Sequence, residues 1–136
     1  MNKKKLLLIF LIPISFVLLF IFWYSSYIDN KVDVLAKANR VKVIGSQHHT
    51  LKFIEDKNII ETLTTYLSRH NGGWQNIISY YPTVDIVLIF YKDGKNLGDF
   101  GMGRNYVTIA NSVYFKEVPI SEIDEIYNII QVTKES

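Results

Sequence analysis

Residues 83–91 read TVDIVLIFY, and the six from Ile86 to Tyr91 are all aliphatic or aromatic. A short, β-branched, apolar run of this kind is a strand, and its continuity predicts a central strand buried on both faces. Asp93-Gly94 follows as a hairpin turn signal, so Asn96–Met102 returns beside it. Gly103-Arg104-Asn105 makes the next turn. Residues 106–110 and 113–118 then form a second hairpin across Asn111-Ser112. Pro119 ends the sheet signal. Ser121 is placed to cap a last helix, with Asp124 three residues on and Ile123, Ile126, Tyr127 and Ile130 as its apolar stripe.

Upstream, Asp56 is a good N-cap. Ile59, Ile60, Leu63, Tyr66, Leu67 and His70 recur at three and four residues behind it, and Asn71-Gly72-Gly73 stops the helix they define. Residues 41–45 and 50–54 read as two further strands around the polar loop Ser46–His49. The expected order is β-β-α-β-β-β-β-α. This is an α+β domain over residues 41–136, an antiparallel sheet with two helices packed on one face.

The N-terminal part has a different texture. No charge occurs from Leu6 to Ile28, while Lys3, Lys4 and Lys5 precede the run and Asp29 ends it. At about 1.5 Å per residue these positions span roughly 34 Å, enough to cross a hydrocarbon core of about 30 Å. Residues 1–28 are therefore expected to be a single-pass transmembrane signal-anchor, with 29–40 either a short stalk or a continuation of the membrane helix, since Val32, Leu35 and Ala36 have helical spacing. The lysines place the N-terminus in the cytoplasm and the domain outside the cell membrane. Trp23, Tyr24 and Tyr27 stand where interfacial aromatics belong. A cleaved secretory signal is the alternative, with Ala36-Lys37-Ala38 carrying small residues at the right spacing, which would leave a secreted binder or effector. The chain has no cysteine, which excludes lipidation through a Cys and any disulfide framework.

The net charge of +2 conceals an asymmetry. Setting aside the three leading lysines leaves twelve basic side chains against thirteen acidic ones. Nucleic-acid binding calls for a strongly basic patch, so no nucleic-acid partner is expected. The expected partners are the lipid bilayer and another envelope protein.

Residues 90–118, FYKDGKNLGDFGMGRNYVTIANSVYFKEV, resemble small uncharacterised membrane-anchored extracytoplasmic α+β domains of Gram-positive bacteria. The resemblance implies an anchored domain of that architecture and carries over no functional residue.

Chemical signatures are sparse. His48 and His49 are adjacent, which in extended chain sends them to opposite sides, and His70 sits at a helix end where an imidazolium suits the dipole. Neither arrangement has the spacing of a zinc site, so no metal or other cofactor is expected. Glu55, Asp56 and Glu61 fall in the first turns of a helix, where carboxylates complement the dipole. Gly101-Met102-Gly103-Arg104-Asn105 lacks the Gly-Lys-Ser/Thr ending of a phosphate loop and leads into a strand. No Gly-x-Ser-x-Gly elbow occurs. The chain is read as a binding or regulatory module rather than an enzyme, with a small metal-binding or enzymatic envelope protein using the histidines as the alternative. Trp74, Tyr80 and Tyr81 around one loop, with Arg104 on a turn, are the expected contacts, because Trp and Tyr offer large rigid area with a polar tip.

Overall fold

The computed structural model describes residues 3–70, 72–76, 83–111 and 113–133, with side-chain surroundings in the first helix described at 9, 11–23 and from 31 onward. Seven strands form one antiparallel sheet: β1 (Arg40–Gly45), β2 (Thr50–Ile54), β3 (Gln75–Asn76), β4 (Ile86–Lys92), β5 (Lys95–Met102), β6 (Tyr106–Ile109) and β7 (Tyr114–Glu117). Their spatial order is β2-β1-β4-β5-β6-β7-β3. The described helices are α1 (Lys3–Leu35), α2 (Lys57–Ser68) and α3 (Ile120–Ile130).

The local reasons for these elements are visible. Asp56 caps α2, its carboxylate accepting the N–H groups of Asn58 at 2.8 Å and Ile59 at 3.3 Å. Asp93 and Gly94 both take positive φ, 50° and 80°, the backbone that a tight hairpin turn between β4 and β5 requires. The stripes of α2 (Ile60, Leu63, Tyr66, Leu67) and α3 (Ile123, Ile126, Tyr127, Ile130) are buried. They meet Val41, Val43, Ile86, Leu88, Phe90, Phe100, Met102, Val107 and Ile109, which alternate along four neighbouring strands onto one sheet face.

Four details differ from the expectations. The central strand is not buried on both faces: Ile86, Leu88 and Phe90 are buried, while Val87, Ile89 and Tyr91 are half-buried. An antiparallel sheet needs covering on one side only, and here the helices cover one. That strand also begins at Ile86, later than the apolar run read from Thr83. The last helix begins one residue before Ser121, with Pro119 at the N-cap and no side-chain cap bond. Proline lacks an N–H and has its φ already near the helical value, so the start is set by the ring in place of a hydroxyl. Finally, the two-residue β3 extends the sheet beyond β7.

α1 runs without interruption from Lys3 to Leu35 with Pro13 inside it. Val32 and Leu35 belong to the domain core at 1% and 3% exposure. Its last turns touch β5 and α2. Farther back, the described apolar side chains from Ile9 to Trp23 are 50–74% exposed. Among the described residues no helix is long and apolar enough to cross a membrane.

Gly98 holds this junction together. Its φ is +141°, a backbone that favours glycine, and a Cβ there would lie 2.9 Å from Leu35 Cδ2, which would have to shift. The chain between α1 and β1 is fastened as well. The Asn39 side chain donates to Asp93 Oδ1 at 2.8 Å and accepts the Asp93 N–H at 3.2 Å, and the Asn39 N–H donates to the Tyr91 carbonyl at 2.9 Å.

Gly98→Ala is expected to destabilise the domain by about 1–3 kcal/mol through backbone strain. Leu35→Ala is expected to cost about 2–5 kcal/mol. Both changes act on one contact, so the double variant should cost less than the sum. Denaturant titration of the four proteins measures this, and strict additivity would show that the two residues do not share that space.

Candidate functional site

Of the contact residues singled out from the sequence, Trp74 and Arg104 are described, and they have different settings. Trp74 is buried at 8% exposure, and its indole N–H donates to the His70 carbonyl at 2.7 Å, which satisfies a backbone acceptor just past the end of α2. Its ring is part of the core and not a free contact surface. Arg104 is exposed on the β5–β6 turn. Tyr80 and Tyr81 lie outside the described residues.

The glycine-rich run around Arg104 is structural. A Cβ on Gly101 would strike Thr108 Oγ1 and the Val84 side chain, and one on Gly103 would overlap the Tyr106 ring. The Gly103 N–H donates to the Tyr106 carbonyl at 2.9 Å, closing the turn, and the Tyr106 hydroxyl donates to the Thr83 carbonyl. Glu55 and Asp56 also have local partners: Glu55 pairs with Arg40 at 3.0 Å, and Asp56 caps α2.

The histidines separate. His48 and His49 are exposed in the β1–β2 turn, where the His48 N–H donates to the Gly45 carbonyl and the Gly45 N–H to the His49 carbonyl, both at 3.0 Å. His70 instead joins a part-buried polar cluster between α2 and α3. Its Nε2 lies 3.0 Å from Glu122 Oε2, and the Tyr66 hydroxyl donates to that same oxygen at 3.0 Å. The Tyr66 and His70 rings are 4.7 Å apart. Arg69 donates to Glu125 at 3.1 Å, a second link between the helices.

Burial pushes the Tyr66 hydroxyl far above its ordinary value, and the Glu122 carboxylate adds to the effect, so Tyr66 remains a donor. Burial pulls His70 below its ordinary value, aided by nearby Lys116 and opposed by Glu122. The imidazole is thus held neutral near pH 7, donating through Nε2, while its buried Nδ1 has no hydrogen-bond partner. The arrangement locks α2 to α3. Among the described residues no group of three His, Asp or Glu side chains is placed to hold a metal ion.

The concave feature with convergent charges lies elsewhere, where the end of α1 meets the sheet. A cavity of about 220 Å³ is lined by Lys31 and Leu35 of α1, Leu97 and Asp99 of β5, Ile109 of β6 and the adjoining Ala110. The local backbone builds it. A register shift between Phe90 and Tyr91 leaves Leu97 as the extra residue opposite them, with Asn96 Oδ1 accepting the Gly98 N–H at 2.8 Å. Ala110 and Asn111 both take positive φ, 54° and 56°, turning the chain so that the Asn111 N–H points at Asp99. It donates to both carboxylate oxygens, at 2.9 and 3.1 Å. Burial raises the Asp99 carboxyl above its ordinary value, against the lowering influence of the Asn111 N–H and of Lys31.

Lys31 and Asp99 were not singled out from the sequence. Lys31 falls in a polar stretch that reads as stalk, and Asp99 in a strand whose register decides its neighbours. A carboxylate between Gly98 and Phe100 in a strand was the available signal. In comparisons with known proteins, no family model, no curated protein and no solved structure matches this chain.

The His70 cluster has a pH signature. A histidine whose folded pKa is depressed takes up a proton more readily when unfolded. Its contribution to stability is therefore complete above about pH 6.5 and is lost as the pH falls below that. Unfolding free energy should decline from pH 7.5 to 5.5, by no more than about 1.4 kcal/mol per pH unit for one proton. His70→Gln should flatten that decline, as measured by denaturant titration across the range. An equal slope in the variant would remove His70 as its source.

Proposed function

We propose that this chain is a membrane-anchored extracytoplasmic binding or regulatory module whose anchor helix is also a structural part of the domain. The observation that carries this reading is α1 itself. It is one unbroken helix with exposed apolar side chains from Ile9 to Trp23 and a last turn buried in the core. Exposed side chains of Leu, Ile and Phe in such density need an apolar surrounding. A bilayer supplies one, and the charge-free run from Leu6 to Ile28 has the length for it. Lys3, Lys4 and Lys5 favour a cytoplasmic N-terminus.

The buried last turn bears on the rival reading, a cleaved signal. Cleavage after Ala38 would remove Val32 and Leu35 from the core, and burying each such side chain is worth about 1.5–3 kcal/mol. A small domain loses a large part of its stability that way. A signal peptide that is to be discarded has no reason to supply core side chains.

A helix shared between bilayer and domain holds the domain at a fixed attitude over the membrane, unlike a flexible tether. The exposed Arg104 is then presented to another envelope protein in a constant orientation. This suits a role in binding or regulation at the outer face of the membrane.

Expression of the full chain in a bacterial host is expected to yield the uncleaved mass in the membrane fraction, with the domain open to external protease. Recovery of a soluble product beginning near Asn39 would sink the proposal.

A further inference from the structure

The sheet has a covered face and an open one. Buried side chains of the three helices join a single core with Val41, Leu88, Phe90 and Phe100. Their neighbours on β1 and β4 point to the other side, because successive side chains of a strand alternate. Four of those outward positions are Ile44, Val87, Ile89 and Tyr91, all half-buried and all aliphatic or aromatic. An antiparallel strand with one solvated face carries polar residues there. β4 instead has the composition of a strand covered on both sides. At the margin of the same face Phe53 is 49% exposed.

This face is self-complementary about β4. One register row runs Lys42, Ile89, Asp99 and another Ile44, Val87, Gly101, with β4 in the middle of each. A two-fold axis along β4, lying between two stacked sheets, sets β1 of one copy against β5 of the other. Ile89 and Val87 then face their own counterparts, and Lys42 faces the charge of Asp99, twice. That carboxylate keeps its bonds to the Asn111 N–H and to its own, since only the sign of its charge enters the pairing. Ile44 meets Val84, which stands over Gly101 of the other copy. The raised part of one face thereby fills the low part of the other. Charge pairs at a rim fix register and exclude wrong partners more than they add affinity.

The position of α1 agrees with this axis. Asn39 ties the end of the helix to Asp93, in the turn at one end of β4. A two-fold along β4 preserves every displacement along that strand, so both helices leave toward the same end, as two chains in one membrane must. The common membrane rests on the anchor reading, whereas the pairing of the faces does not. From β2 to β5 the face is about 14 Å wide, and it runs about 17 Å along β4. That footprint is small for an interface in free solution, and confinement of both chains to one bilayer raises their effective concentration.

We propose that the open sheet face, centred on Val87 and Ile89, packs against the same face of a second copy of this chain about a two-fold axis along β4.

The chain has no cysteine, so a single introduced thiol reports on one position. The full chain carrying Ile89→Cys is expressed in a bacterial host and treated in isolated membranes with a short-armed bismaleimide. A crosslinked species of twice the chain mass is expected. Glu61→Cys, on the exposed side of α2, should give none. Added to Ile89→Cys, either Lys42→Glu or Asp99→Lys should lower the crosslinked fraction at least tenfold. Co-expression of the two charge variants should restore it, because each then meets its opposite. Should Asp99→Lys lose its native circular dichroism, Lys42→Glu alone decides.

An Ile89→Cys chain that stays monomeric, or that crosslinks no better than Glu61→Cys, overturns the proposal. Adducts with another protein in place of the doubled mass overturn the second copy as occupant. Failure of the anchor reading would appear separately, as chain in the soluble fraction, and the same crosslinking of the purified soluble chain then decides the face.

Discussion

The approach of Leu35 to Gly98 is the constraint on which the rest of this structure depends. A Cβ at position 98 would lie 2.9 Å from Leu35 Cδ2, so the leucine methyl would have to shift, and the φ of +141° would be strained for any other residue. With glycine there, the last turn of a 33-residue helix seats Val32 and Leu35 in the domain core. The bonds of Asn39 to Asp93 and Tyr91 then hold the short connection into β1 against the β4–β5 turn. The end of the N-terminal helix is thus packed against β5 and α2 and tied to the β4–β5 turn.

The second level of organisation is the one-sided sheet. α2 and α3 close one face with apolar stripes and lock to each other through polar links, Tyr66 and His70 to Glu122 and Arg69 to Glu125. These links lie at the boundary of the core, where a neutral imidazole and a protonated phenol tolerate partial burial that a free charge would not. The opposite face is less covered. Phe53 there is 49% exposed beneath Arg40, whose guanidinium sits 4.2 Å from its ring centroid, and Lys42, Phe53, Ile89 and Asp99 share one register row. Burial on this face deepens at Gly101 and Thr108, where Val84 packs across the strands.

Much of the fold was legible because its signals are local. The cap at Asp56, the Asp93-Gly94 turn and the stripes of both later helices depend on neighbours three or four residues away, and each stands where its pattern puts it. What could not be read depends on distant partners. The apolar run Ile86–Tyr91 looks the same whether a sheet is covered on one side or two. Trp74 reads equally well as a surface anchor or as a core ring, and the deciding bond runs to a carbonyl at the helix end. The same holds for the cavity. Lys31 and Asp99 are 68 positions apart in the chain, and nothing near either residue announces the other.

The stalk illustrates the difference most sharply. Val32, Leu35 and Ala36 have helical spacing within a polar stretch, which allows either a loose tether or a continued helix. The continued helix is the one found, with Val32 and Leu35 buried and Leu35 resting against Gly98, a residue that on local grounds alone is an ordinary glycine in a strand. With the helix seated there, Val32 and Leu35 join the core and a cavity forms between the helix and the bulged strand. A flexible stalk would supply neither. The seated helix and the cavity therefore share one junction, the contact between an aliphatic side chain and a strand with no side chain in the way.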